Sequence, residues 1–244
     1  GYDAVLGGTD EMNVLVACEE SQRVCTAFRE RGHKAFSCDI LPCSGGHPEW
    51  HIQGDVLDVL NPYVYRNVVS RYGIRFVTQN GDKHSIDKWE LIIAHPPCTH
   101  LCSAGQNWFS RGMKDPALRE EAFEFFMKFI NADCKRIAVE NPVGIVSTRY
   151  RKYDQAIQPY EYGEPYTKKT CLWLKGLPLL VPTNILQEPE EGWKNKHISK
   201  DGRYTGFKNY DENGKILAWN DPRTARVRSK TFPGIARAMA EQWG

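Results

Sequence analysis

Cys98 is the residue in this 244-residue chain whose setting best suits chemistry. It closes the stretch LIIAHPPC, in which Leu91 to Ala94 predict a short strand buried on both faces. The double proline must end that strand, because Pro97 cannot donate to a ladder and Pro96 restricts His95 to extended geometry. The thiol is then held at a strand's C-terminal end, where open α/β sheets bind ligands, and is placed there for nucleophilic attack. A buried structural cysteine is the plain alternative, since free Cys is among the most buried residue types. The neighbours weigh against it. Arg136 to Val139 predict a second short buried strand, which delivers Glu140 and Asn141 to the same edge, so a thiol and a carboxylate share one rim.

The positioning elements alternate between strand and helix. Asn13 to Ala17 predict a strand, Ser21 to Arg31 a helix with Ser21 as N-cap and Gly32 just past its end, and Lys34 to Cys38 a second strand ending at Asp39. Strand, helix, strand and a terminal acid form the layout of a nucleotide-binding unit, whose carboxylate accepts hydrogen bonds from ribose hydroxyls. Asp55, after Gly54, could receive the exocyclic amine of an adenine or simply cap a helix. Arg75 to Ile86 read as a hairpin around Asn80-Gly81. Pro116 to Ile130 predict a strong helix with Asp115 as N-cap and Phe123, Phe126, Met127 and Ile130 on one face. Thr170 to Leu174 predict a further strand. Beyond Pro182, turns at Asp201-Gly202 and Asn213-Gly214 predict two hairpins in a small lobe, and Thr231 to Trp243 return to a helical pattern. The expected fold is α/β, a mainly parallel sheet flanked by helices. Residues 1–11 read as a tag or tail, 12–180 with 222–244 as one domain, and 181–221 as the small lobe.

A hydrophobic share of 41% and a charged share of 25% are globular values. No apolar run approaches the roughly 20 residues of a membrane span, and no secretory signal opens the chain. The eight cysteines lack the spacing of a secreted disulfide scaffold and read as reduced thiols in a cytoplasmic setting. Cys38, Cys43, His47 and His51 lie close in sequence, as do His95, Cys98, His100 and Cys102. Neither set has paired C-x-x-C spacing, and no metal is expected. Net charge is only +2, yet Lys194 to Lys230 hold ten Lys or Arg against four acids. With Trp193, Tyr204, Phe207, Tyr210 and Trp219 interleaved, that stretch favours nucleic acid over a merely solvated surface.

Pro97-Cys98 followed by Leu101, Cys102-Ser103 and Ala104-Gly105 resembles the Pro-Cys-Gln-x-Phe-Ser-x-Ala-Gly loop of the cytosine-5 DNA methyltransferases. The other features follow in that family's order: Asp39 as ribose-binding acid, Gly54-Asp55, Glu140-Asn141 for Glu-Asn-Val, Tyr162-Gly163-x-Pro165, and a closing helix. The resemblance implies a Rossmann-like methyltransferase sheet with a small β-rich recognition lobe, S-adenosyl-L-methionine as cofactor and DNA as partner, with no membrane or protein partner evident. It implies that Cys98 adds to C6 of cytosine, assisted by Glu140, Asn141 and Lys168, with Glu140 protonated, or sharing a proton with N3, when it faces that ring nitrogen, a state that burial encourages. Ala17, Cys18, Glu19, Glu20, Ser21, Asp39, Ile40, Asp55, Val56 and Pro96 would line the cofactor. Ser103, Gln106, Lys169, Arg203, Lys208, Arg226 and Arg228 would meet nucleic acid.

The chain departs from the family pattern in three places. Ala17 to Gln22 lack the family's glycines, so Glu19 or Glu20 is expected to meet the cofactor's ammonium or sulfonium charge. Tyr166, Lys168 and Thr170 stand where the family has Gln and two Arg, which leaves Lys169 to take over a pyrimidine contact. The lobe is short, implying few base contacts and salt-sensitive affinity. An RNA or free-nucleotide substrate, or a catalytically silent, zinc-stabilised nucleic-acid-binding module, are the alternatives.

Overall fold

The computed structural model describes residues 10–62, 64–65, 68–69, 73–103, 109–190, 192–198, 200–201, 204–211, 213–218 and 220–244. In chain order the elements begin with β1 (Asn13–Ala17), α1 (Arg23–Glu30), β2 (Lys34–Asp39), β3 (His51–Gln53) and α2 (Leu57–Leu60). Two short ladders follow, β4 (Val64–Tyr65) with β5 (Val68–Val69), and β6 (Ile74–Val77) with β7 (Lys83–Ile86). Then come β8 (Leu91–Ala94), α3 (Pro116–Ile130), β9 (Ile137–Asn141), α4 (Val146–Arg149), β10 (Gln155–Ile157) and β11 (Thr170–Lys175). The last third holds β12 (Lys196–Ile198), β13 (Tyr204–Phe207), β14 (Asn209–Tyr210), β15 (Ile216–Leu217), α5 (Pro222–Ser229) and α6 (Pro233–Trp243).

Seven strands form one sheet in the order β10-β11-β9-β8-β1-β2-β3. The pairings from β3 through β9 are parallel, and β11 is antiparallel to both β9 and β10. The central strands are apolar on both faces because both faces are covered. Leu15, Ala17, Ile92, Val139 and Trp173 face a core shared with Phe126 and Phe129 of α3 and with the β6–β7 hairpin. Val14, Val16, Leu91, Ile93, Ala138 and Leu172 face the opposite core, built with α1 and with Ile235, Met239 and Trp243 of α6. The order reverses between β1 and β8, the switch point over whose C-terminal ends open α/β sheets form their ligand crevice.

Helix α3 has the predicted bounds, with Asp115 accepting from the Ala117 N–H and Pro116 at the first position. Helix α1 starts later than expected, and Ser21 is not its cap. Gln22 holds that position in the left-handed region (φ 57°) with no side-chain cap, and the carboxylate of Glu19 accepts from the N–H groups of Val24 (2.7 Å) and Cys25 (3.2 Å) instead. The lobe contains the two expected antiparallel pairs, β12–β13 and β14–β15. It is fastened to the body by Asn195, which both accepts from and donates to the backbone of Thr167, and by Trp193 stacked on Tyr160 at 4.8 Å. No helix among the described residues is long and apolar enough to cross a membrane.

Candidate active site

Two loops at the C-terminal edge of the sheet are zipped together. After β8, the His95 N–H donates to the Ala17 carbonyl (2.9 Å), extending the pairing with β1 by one residue. Pro96 is buried, and its carbonyl accepts from Nδ2 of Asn141 at 2.9 Å. A single turn then forms, with the N–H groups of Leu101 and Cys102 donating to the Cys98 carbonyl. Ile145 N–H donates to the Leu101 carbonyl (2.9 Å), and both the N–H and the hydroxyl of Ser103 donate to the Val143 carbonyl (3.0 Å each). Gly144 sits in this seam against the backbone of Leu101 and Cys102, where no side chain fits. Nucleophile loop and carboxylate loop are therefore one rigid unit.

Within that unit Glu140 meets His95. Oε2 of Glu140 lies 2.8 Å from Nδ1 of His95, and the two side chains are 15% and 7% exposed. Burial favours the neutral forms, but the pair overrides it: His95 binds its proton more tightly than an ordinary histidine, and Glu140 is held below the usual carboxylate range by His95 and by Lys168. In the free protein the imidazole is the stronger holder of the shared proton, and the expected protonation of Glu140, or its sharing of a proton with N3, belongs to the state in which it faces the ring. Lys168 donates to the Arg228 carbonyl (2.8 Å) and lines a small cavity with Glu140, Thr170, Phe232, Ile235 and Met239. Cys98 is pushed well above an ordinary thiol by its hydrogen bond with Cys102, by burial and by Glu140, with Lys168 opposing. The thiol is protonated at neutral pH and must lose that proton to react.

The other side of the crevice holds the β1, β2 and β3 ends. Asp39 is half-buried, its carboxyl raised by burial while Oδ1 accepts from the Leu41 N–H (2.9 Å). Beside it Ile40 is 74% exposed, an apolar face next to an acceptor. Ala17 and Ser21 are buried in the floor. Cys18, in the left-handed region (φ 59°), has its thiol raised by burial and by Asp39, Cys38 and Asp55, which places the two carboxylates around it. Asp55 is exposed and caps the turn into α2 through the Leu57 N–H. Gln22 clamps the 42–48 loop by donating to the His47 carbonyl (2.8 Å) and accepting from the His47 N–H (3.0 Å).

Several expected contacts are engaged elsewhere. The Glu19 carboxylate caps α1, and Glu20 pairs with Arg226 at 3.1 Å, so neither awaits a cofactor's positive charge and Arg226 serves to dock α5. Val56 is a core residue, 4% exposed. The Lys169 ammonium lies over the Tyr153 ring, and the Ser103 hydroxyl holds the loop seam. Lys208 is half-buried and Arg228 exposed. Gln106 and Arg203 lie outside the described residues. Gln22 and Gly144 are site residues that sequence reasoning missed, and neither carried a signal. His95 and Cys102 enter the sequence reading only in a Cys/His set and, for Cys102, in the loop motif, although an imidazole three residues before a candidate nucleophile is a signal in itself.

Among the described residues no group of three or more His, Cys, Asp or Glu could hold a metal ion. The two Cys/His stretches disperse: His51 bonds Ser37 and the Leu41 carbonyl, His47 stacks on Trp50, and His95 is taken by Glu140. In comparisons with known proteins, no family model and no curated protein matches the chain.

Proposed function

We propose that this chain is a cytosine-5 methyltransferase acting on DNA with S-adenosyl-L-methionine, in the cytoplasm of a bacterial or phage-infected cell. The observation that carries the reading is the fixed juxtaposition of Cys98 and Glu140 on one rim, beside the crevice where the strand order reverses, with Asp39 on its far side. Numbered by chain order, the sheet reads 3-2-1-4-5-7-6. That is the dinucleotide-binding order with one antiparallel strand inserted, and it supports a Rossmann-like methyltransferase fold.

The chemistry assigns each group a task. C5 of cytosine is too weak a nucleophile to take a methyl group unaided. A thiolate adding at C6 pushes electron density to C5, and Cys98 is that thiolate. Glu140 keeps one oxygen for the base, since Oε2 is held by His95, and that oxygen accepts from the exocyclic amine. Asn141 positions the Cys98 loop through Pro96. A target within a duplex must be flipped out of the stack to reach so recessed a thiol.

Residues present at the β2 end fit the nucleoside part of the cofactor: Asp39 as acceptor for ribose hydroxyls, Ile40 as an exposed apolar face for adenine, and Asp55 near the exocyclic amine. When bound, the cofactor supplies an electrophilic methyl group. The basic Lys194 to Lys230 stretch, with exposed Arg228, supports a polyanion as partner.

The test is the intact mass of the protein after incubation with S-adenosyl-L-methionine and duplex DNA carrying 5-fluorocytosine. Fluorine at C5 blocks the final elimination, so a methylated adduct mapping to Cys98 is expected. An adduct on RNA alone would reassign the substrate. No adduct on duplex, single strand or RNA would overturn the reading.

A further inference from the structure

His95 sits on the last rung between β1 and β8, its backbone bonded to Ala17 and its ring 7% exposed. Nδ1 is engaged by Glu140, while Nε2 is buried and meets no acceptor within the described protein. Three charged groups bear on the ring: Glu140 from β9, Glu19 from the loop after β1, and Lys168 from the segment before β11. Glu140 first, and Glu19 after it, outweigh Lys168 and favour the imidazolium, despite a burial that alone would disfavour it and that also raises the Glu19 carboxyl. The free protein thus holds a proton on His95 more tightly than an ordinary histidine does, 2.8 Å from a Glu140 carboxyl kept below the usual carboxylate range.

A cytosine facing Glu140 presents a donor, its amine, and an acceptor, N3. A carboxylate satisfies the first and can give nothing to the second. When the Cys98 thiolate, its proton lost to solvent, bonds to C6, the C5–C6 π pair moves onto C5 and the negative charge spreads to N3, which must gain a proton. We propose that His95 supplies that proton through Glu140. The N–H bond at Nδ1 breaks as the Glu140 carboxyl takes the proton at Oε2. The carboxyl turns about Cγ–Cδ and presents the O–H to N3, and a neutral imidazole remains. The proton returns when the Cys98–C6 bond breaks. His95 touches neither base nor cofactor and is a positioning residue that also sets the charge of Glu140. The inference rests on Cys98 being the cytosine nucleophile.

Two measurements on the full chain test it. The first follows the His95 Cε1–H resonance, assigned by its loss in His95→Gln, across pH. Its midpoint is expected above the ordinary 6.5 in the unaltered protein and below it in Glu140→Gln. A midpoint below 6.5 in the unaltered protein, or one that Glu140→Gln does not move, overturns the proposal without reference to any activity. The second measures the rate of adduct formation with 5-fluorocytosine duplex against pH. The rate should climb with pH below the His95 midpoint as Cys98 ionises and level off above it, whereas His95→Gln should be roughly 100-fold slower and keep climbing with no break at that midpoint. A superimposable profile for His95→Gln overturns the proton store and leaves Cys98 as nucleophile. Absence of any adduct with the unaltered protein overturns the methyltransferase reading itself. If His95→Gln does not fold, the titrations of the unaltered protein and Glu140→Gln still decide.

Discussion

Gly144→Ala is the substitution that most directly tests the seam between the two site loops. The backbone at Gly144 has an ordinary φ, so alanine brings no conformational strain and the effect is purely one of space. Its methyl would overlap the Leu101 carbonyl oxygen and lie 2.7 Å from the Leu101 carbonyl carbon and 2.9 Å from Cα of Cys102, against an ordinary contact of 3.4 Å or more. All three are backbone atoms, so no rotamer change relieves the contact. The loops must part by on the order of 1 Å, a displacement that in an active site costs roughly 100-fold in rate. Parting them also weakens the hydrogen bonds from Ile145 to Leu101 and from Ser103 to Val143. At about 1 kcal/mol net for each of the three, stability should fall by about 2–3 kcal/mol. Urea unfolding reads the stability, and the rate of 5-fluorocytosine adduct formation reads the geometry. Cofactor affinity, measured by calorimetry, should stay unchanged because Asp39 is on the far side of the crevice. A Gly144→Ala protein within about 0.5 kcal/mol of the parent would refute the packed seam, since that is the scatter of inert surface substitutions.

Asn141→Ala removes the bond to the Pro96 carbonyl from a side chain that is 1% exposed, and should cost about 1–3 kcal/mol in urea unfolding while slowing adduct formation; unchanged stability would remove Asn141 from the loop's support. Burial raises the Glu20 carboxyl, but Arg226 and Ser44 outweigh it and hold the group below its ordinary 4.5. Its folded-state value is therefore depressed, so the pair's stability is present above pH 4.5 and is lost as pH falls through that folded value. Thermal melts should show the parent's advantage over Glu20→Gln at pH 7 and a shrinking advantage near pH 3; a constant difference would show that the carboxylate charge is not what matters. Cys98→Ala should abolish turnover with cofactor affinity retained, whereas Asp39→Ala should weaken the cofactor about tenfold, the loss of one charged hydrogen bond. Equal affinity in both variants would place the cofactor elsewhere.

Local chemistry made much of the fold legible. Asp115-Pro116 announced α3, and Asn80-Gly81 the β6–β7 hairpin. Asp221-Pro222 carries the same start signal for α5, with Asp221 accepting from the Arg223 N–H. Strand β10 has no pattern of its own and exists because β11 offers it an edge. The start of α1 was misplaced because the capping group is Glu19, five residues before the N–H it serves, which Ser-type capping rules do not reach.

The sequence by itself determined which chemistry was present: a thiol after a proline-broken strand, a carboxylate after another strand and an acid after a third, all at C-terminal ends, because strand direction and prolines act locally. Only the tertiary structure decided what those groups are charged with and which are already spent. Glu140 is ionised because parallel pairing of β8 and β9 brings His95 to it across 45 residues of chain. Glu19 and Glu20 are consumed by α1 and by Arg226, the latter 206 residues away. Protonation and pairing depend on through-space distance and burial, and the chain's order carries neither.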